Sequence, residues 1–280
     1  LVALMKNSEE YKPLQSVNLF IKKHDLLFKN ENKKQYLQEL NKLGQPGKLN
    51  ANFFWYGENF GFLNNLVIKS HFKVGHNPKI WLLGNKPTNQ YWKDIENKIT
   101  LVELDDYINV KEWLEFGGEI RMAFSIWLFH FLHACGGLCC DTDHFALKKF
   151  PDDEWILSSA ERDTNILSLG VIKTPPNDDL FLECIENTKY DWGALVVFTD
   201  AYKKKYGNTK LTHPSNLFYP YKWYEWNTLF ENIEIPDAYS LHFYQKALED
   251  HLKEEFKNIN KDWCEKNQNT LLGRLYNWVN

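Results

Sequence analysis

Ala51-Asn52-Phe53-Phe54-Trp55-Tyr56-Gly57, then Phe62-Leu63-Asn64-Asn65-Leu66-Val67-Ile68-Lys69-Ser70-His71-Phe72, then Lys79-Ile80-Trp81-Leu82-Leu83 follow one another along the chain. The first is a short apolar run closed by glycine, the pattern of a strand buried on both faces. The second repeats its apolar positions at helical spacing. After the turn Gly75-His76-Asn77-Pro78 the third is again a short apolar run. A helix between two strands carries the chain back to its starting edge, so the strands run parallel and the fold class is α/β. Thr100-Leu101-Val102-Glu103-Leu104 reads as a third strand. A helix is expected from about Ile120 to Ala134, leading through Gly136-Gly137 into the strand Leu138-Cys139-Cys140.

Toward the N-terminus, Leu19, Ile21, Leu26, Leu27, Tyr36, Leu37, Leu40 and Leu43 recur at helical spacing among Lys, Glu and Asn, and Gln45-Pro46-Gly47 breaks the pattern. Residues 1–48 are therefore expected to form a helical N-terminal extension and residues 49–280 the main domain. Toward the C-terminus, Ala247 to Trp263 places Leu248, Leu252, Phe256 and Ile259 among alternating charges, which predicts one amphipathic helix packed on the domain.

With 33 Lys+Arg against 37 Asp+Glu the net charge is -4, and no basic surplus draws the chain to nucleic acid. Eleven Trp, fourteen Tyr and nineteen Phe suit stacking on sugars and bases, but core filling is the plainer explanation. The five Cys are odd in number and lack the spacing of a disulfide framework, so reduced thiols and a cytoplasmic setting are expected. No apolar run reaches the roughly 18 residues of a membrane span, and Leu1-Val2-Ala3-Leu4-Met5 is too short for a signal peptide.

Asp141 and Asp143 stand just past the carboxyl end of the strand Leu138-Cys139-Cys140, the edge where open α/β sheets bind ligands. Two carboxylates one residue apart can turn toward one hard divalent cation if the chain bends there. A nucleotide diphosphate would complete the ligand set, and the cation would neutralise the charge that develops as a sugar departs from it.

The string Gly136-Gly137-Leu138-Cys139-Cys140-Asp141-Thr142-Asp143 resembles the signature of the glycosyltransferases with a DXD sugar-binding region. These are retaining enzymes of the capsular-polysaccharide and outer-chain mannosyltransferase type, related to the large clostridial toxins. Phe53 to Gly57 resembles the family's first strand, Ile68-Lys69-Ser70 and Pro78-Lys79-Ile80-Trp81-Leu82 the helix and strand after it, Leu217-Phe218-Tyr219-Pro220 its Phe-Tyr-Pro segment, and Ala238 to Tyr244 its late His-aromatic element. The similarity spans roughly residues 50 to 275.

The resemblance implies a GT-A-like, Rossmann-type mixed sheet flanked by helices, with a nucleotide-sugar half over about 49–150 and an acceptor half over about 151–280. It implies that Asp141 and Asp143 act at the metal and the donor phosphates. Trp55 and Tyr56 would frame the base, with Gly57 and Gly137 beside the donor. His242 would return to the metal, and Thr270 would lie in a late loop near the phosphates. The implied cofactor is Mn²⁺ or Mg²⁺, the donor a UDP-sugar ahead of a GDP-sugar, and the acceptor a glycan or lipid-linked glycan; an acceptor on a lipid carrier would bring the chain to peripheral association at the inner face of a membrane. Asp163 and Asn165, in the polar stretch after the first half of the site, are candidates for donor hydroxyls, and Tyr219 to Trp226 for an acceptor wall.

Where relatives carry Ser-Asp or Ser-Asn and then Arg on the helix before Gly-Gly, this chain has Phe124-Ser125-Ile126-Trp127-Leu128-Phe129, with apolar residues where the acid and the Arg are expected and Arg121 one turn before Ser125. That departure leaves the donor sugar open and motivates a rival reading, a nucleotide-sugar or carbohydrate-binding protein without turnover. A second rival is a toxin-like transferase acting on a protein. A third is a zinc site drawn from His130, His133, Cys135, Cys139, Cys140 and His144, opposed by the opposite facing of neighbours Cys139 and Cys140 on a strand.

Overall fold

A computed structural model describes residues 50–105, 114, 120–159, 165–188, 193–207 and 212–280. The helical extension expected over 1–48 and its boundary lie outside the described residues, as does Asp163.

The stretch that decides the fold forms β1 (Asn50–Tyr56), α1 (Phe62–Lys73) and β2 (Asn77–Leu83). Short α2 (Gln90–Lys93) precedes β3 (Thr100–Glu103); α3 (Ile120–Cys135) then leads into β4 (Gly137–Cys140). With β6 (Val171–Thr174) these strands make one sheet in the order β3-β2-β1-β4-β6. β1, β2, β3 and β4 pair in parallel, and β6 closes the edge antiparallel to β4. The fold is therefore α/β with a mixed, mostly parallel sheet.

Strand alternation divides the core in two. Ala51, Phe53, Ile80, Leu138, Cys140 and Val171 face one layer, which α1 covers with Leu66, Val67 and Ile68. Trp81, Leu83, Cys139 and Ile172 face the other, which α3 covers with Ile126, Trp127 and Phe131. Helices α4 (Leu180–Asn187) and α5 (Gly193–Tyr206) close that second layer. Burial on both faces is why these strands read as unbroken apolar runs.

Gly136 makes the turn from α3 to β4 possible. It ends the helix at φ 60, the left-handed region, with its amide on the Leu132 carbonyl at 3.0 Å. A Cβ there would lie 2.5 Å from Pro176 N and 2.6 Å from Thr174 O. Both the backbone angle and the space demand glycine.

The C-terminal part differs from the single amphipathic helix expected over 247–263. It holds α6 (Gln245–Leu252), a 3₁₀ turn at Lys253–Asn258, α7 (Lys261–Lys266) and α8 (Leu271–Val279). An unbroken helix would set Cys264 about 160° round the axis from Leu248. The break at Lys253 (φ 51), and a new start capped by Asn260, let both become fully buried. Among the described residues no helix is long and apolar enough to cross a membrane.

Candidate functional site

β4 ends at Cys140, and the next residue is held by the sheet edge: the Asp141 amide donates to Gly170 O at 2.8 Å. A turn follows, closed by the His144 amide on Asp141 O at 3.1 Å, and the chain leaves as β5 (His144–Ala146). β5 pairs antiparallel with β7 (Ser240–His242), in a register that sets His144 against His242. Their rings stack at 5.1 Å and 15°. The pairing carries His242 Nε2 to 2.9 Å from Asp143 Oδ1. Tyr244 then takes a left-handed conformation (φ 51) that turns strand into helix, so the first amide of α6, Gln245 N, donates to Asp143 Oδ2 at 2.9 Å. A carboxylate at a helix N-terminus meets both free amides and the positive end of the dipole.

The two acids are treated differently. Burial pushes the Asp143 carboxyl up, but the charge and hydrogen bond of His242, with the Gln245 amide, outweigh it and hold the group below the ordinary carboxylate value. The same pairing overrides the desolvation of His242 and raises it, favouring the imidazolium. Asp141 has no side-chain hydrogen bond among the described residues. Burial first, and Asp143 second, push it up to about 7 against the opposing pull of His242. One ligand atom from each of Asp141, Asp143 and His242 lies within 4.8 Å of the others. Two carboxylate oxygens and one imidazole nitrogen, with one carboxylate short of a partner, are a donor set that fits a divalent cation, and carboxylates suit Mn²⁺ or Mg²⁺ better than softer metals.

These acids form the floor of a cleft of about 500 Å³ at the carboxyl ends of β1 and β4. Its walls are Phe54, Trp55 and Tyr56 from β1, Ile120, Arg121 and Phe124 from α3, and Gln245, Lys246 and Glu249 from α6. Asn64, buried in the first turn of α1, ties the floor to the wall by donating to Thr142 O at 3.1 Å and Gln245 Oε1 at 3.0 Å.

Of the residues singled out from sequence, Asp141, Asp143 and His242 converge, and Trp55 and Tyr56 line the same cleft. Tyr56 is 41% exposed, while Trp55 leans on Phe60 and donates its indole N–H to Gly57 O at 2.8 Å. Gly57 makes the turn after β1 at φ 89. Gly137 sits at the opposite end of β4, lining a separate cavity of about 130 Å³ with Asn50, His76 and Lys149. Its conformation (φ 88) serves the Gly136 turn. Asn165 is exposed and outside the cleft walls. Thr270 is committed elsewhere: it caps α8, accepting from Gly273 N at 3.1 Å and donating to Asn267 O at 2.7 Å. Tyr219, placed on an acceptor wall from sequence, is instead buried beneath the acids. Among the described residues the proposed zinc ligands form no cluster. Cys139 and Cys140 face opposite layers, burial raises both thiols, and His133 is bonded through Nδ1 to Asp178 O at 3.1 Å.

Sequence reading missed Asn64, Gln245 and Gly170. Asn64-Asn65 inside an apolar helix was a usable signal, because buried Asn needs partners. Gln245 carried none, since its main contribution is a backbone amide.

No protein-family model matches the chain. It is 22% identical over 186 residues to the human alpha-1,4-N-acetylglucosaminyltransferase, an alignment covering 59% of this chain and 50% of that protein. The chain thus spans about half the length of this curated relative. Among solved structures, the apo form of the glycosyltransferase GlyE of Streptococcus pneumoniae TIGR4 superposes with a TM-score of 0.43 at 12% identity, covering 79% of this chain and 64% of that one. A further GlyE structure gives 0.41 at 12% identity, covering 77% and 64%.

Proposed function

We propose that the chain is a retaining, metal-dependent glycosyltransferase that moves a hexose or N-acetylhexosamine from a nucleotide sugar to a glycan acceptor, in surface polysaccharide synthesis. The observation that carries this reading is the meeting of Asp141, Asp143 and His242, from two different sheets, on the floor of one cleft with an aromatic end. The name of the human relative, an N-acetylglucosaminyltransferase, supports an N-acetylhexosamine donor. A UDP-linked donor is proposed ahead of a GDP-linked one, because the smaller base leaves more of the cleft for the sugar. The imidazole in the donor set favours Mn²⁺ over Mg²⁺, which prefers oxygen throughout.

Asp141, Asp143 and His242 would hold the cation, which when bound neutralises charge gathering on the departing diphosphate. Arg121 from α3 and Lys246 from α6, the latter paired with Asp250 at 2.7 Å, line the cleft and would meet the phosphates, and the Trp55 and Tyr56 rings offer faces for the base. The sugar–oxygen bond to phosphate breaks and the acceptor oxygen bonds to the anomeric carbon on the same face. The acceptor proton leaves with the phosphate oxygen, so no protein nucleophile is needed. The chain's contribution is then positioning and charge.

One observation favours the reading without turnover. Ile126 to Phe129, the apolar run that stands where relatives carry the acid and the Arg, is buried, and Ser125 Oγ donates to Arg121 O within its own helix at 3.0 Å, so none of these positions offers the cleft a polar side chain. Screening UDP- and GDP-sugars for Mn²⁺-dependent nucleotide release, with and without glycan acceptors, separates the two. Release that Asp143→Ala abolishes, with an α-linked product by NMR, supports transfer. Tight binding with no release supports the rival, and release unchanged in Asp143→Ala removes the metal assignment.

A further inference from the structure

Tyr219 is 2% exposed, yet it reaches the parts that carry two of the three converging ligands. Its hydroxyl accepts from Val171 N at 3.1 Å and shares a hydrogen bond with Ser168 Oγ at 2.6 Å; Ser168 Oγ in turn accepts from Gly170 N at 3.1 Å. These bonds fix the corner 168–171, whose Gly170 carbonyl holds the Asp141 amide at 2.8 Å. The tyrosine ring lies edge-on to His144 at 4.9 Å and to His242 at 5.8 Å. Its own segment is tied to the strand that bears His242: Tyr239 N donates to Leu217 O at 2.7 Å, and Ser240 Oγ to Phe218 O at 3.3 Å. A side chain at Gly170 would fall 2.9 Å from the Tyr219 hydroxyl and 3.1 Å from Asp141 Oδ2. The hydroxyl and the carboxylate therefore flank one small space that only glycine leaves open.

We propose that Tyr219 is a positioning residue of the metal centre. Through the 168–171 corner it sets where Asp141 stands, and through its ring and backbone segment it sets where His242 stands. Asp141 follows β4 of the large sheet whereas His242 ends β7 of the small one, and no described hydrogen bond joins their side chains. Their separation is thus a property of what lies between them, and Tyr219 packs against both sides. Partners of this kind, which touch the ligands and not the ion, tune affinity by holding ligand geometry.

The inference rests on the metal reading proposed above, and the test keeps the two apart. Mn²⁺ affinity is measured by electron paramagnetic resonance on the parent, Tyr219→Phe, Ser168→Ala and Asp143→Ala, beside thermal unfolding and the Mn²⁺ dependence of nucleotide release. Tyr219→Phe keeps the ring and removes the hydroxyl; Ser168→Ala removes its partner and serves if the first variant folds poorly. The expected result is a Kd for Mn²⁺ weakened about tenfold in both, with release restored to within about twofold of the parent at saturating Mn²⁺. A purely structural role would lower the unfolding midpoint and leave the Mn²⁺ Kd unchanged. That outcome, in a parent whose binding Asp143→Ala abolishes, overturns the positioning role alone. A parent that binds no Mn²⁺ overturns the metal reading and this inference with it.

Discussion

Acidification from pH 8 to pH 5 is expected to cost the fold about 2 kcal/mol at His71 and about as much at His76. His71 Nε2 lies 3.2 Å from His144 O, a carbonyl, so this nitrogen must carry the proton and Nδ1 the lone pair. His76 Nδ1, 3.0 Å from His71 Nδ1, must then be the donor, leaving His76 Nε2 to accept from Phe150 N at 3.4 Å. Both rings are neutral in this chain of bonds, and both are buried. Burial, then His76, lowers His71 to about 3; burial, then Lys149, lowers His76 to about 4. A folded value below the unfolded 6.5 means that only the unfolded chain takes up a proton as pH falls. Stability is complete above about 6.5 and is lost below it, until the folded ring also titrates. At pH 5, about 1.5 units below 6.5, each neutral ring costs about 1.36 kcal/mol per unit. Urea unfolding at the two pH values measures this, with His71→Phe and the double His71→Phe/His76→Phe variant for comparison. The acid loss should shrink by about 2 and about 4 kcal/mol respectively. Taking differences cancels Asp141, whose raised value works in the opposite direction. Equal acid losses in parent and double variant would refute the neutral histidine chain.

Three further outcomes follow from the same geometry. Asp141→Asn should raise unfolding free energy at pH 8 without metal by about 1–2 kcal/mol, because it removes a charge that burial and Asp143 disfavour, while ending stabilisation by Mn²⁺; calorimetry with and without the ion checks both. Mn²⁺ affinity in the parent should fall by more than about tenfold per pH unit below about 7, because Asp141 and the His242 imidazolium must both lose a proton to bind; titration of Mn²⁺ at pH 6 and 8 reads this. Gly136→Ala should destabilise by more than about 2 kcal/mol through both the left-handed backbone and the contact with Pro176, measured by urea unfolding.

The parallel unit from Asn50 to Leu83 was legible because its strands are buried on both faces and its helix is long enough to show a period. The position of the acids was legible for a related reason: a strand ending in Cys140 must release the chain at the carboxyl edge of the sheet. What decides the site lay beyond local pattern. His242 reaches Asp143 through the three-residue pairing of β5 with β7, too short for alternation to reveal. The Gln245 amide acts without regard to its side chain, and nothing local separates Tyr219, a candidate for the acceptor wall, from the buried residue it is beneath the acids. Thr270 shows the reverse: a hydroxyl in a plausible loop was a helix cap, a role the following apolar residues Leu271-Leu272 are consistent with.

The central claim is that Asp141, Asp143 and His242 hold a cation for the sake of a nucleotide diphosphate, and calorimetric titration of UDP with and without Mn²⁺ addresses it most directly. Linkage requires each ligand to tighten the other by the same factor. UDP should bind at least about tenfold more tightly with Mn²⁺ present, and Asp143→Ala should erase the difference. UDP affinity indifferent to Mn²⁺ in the parent, or a Mn²⁺ effect that survives in Asp143→Ala, would contradict the account.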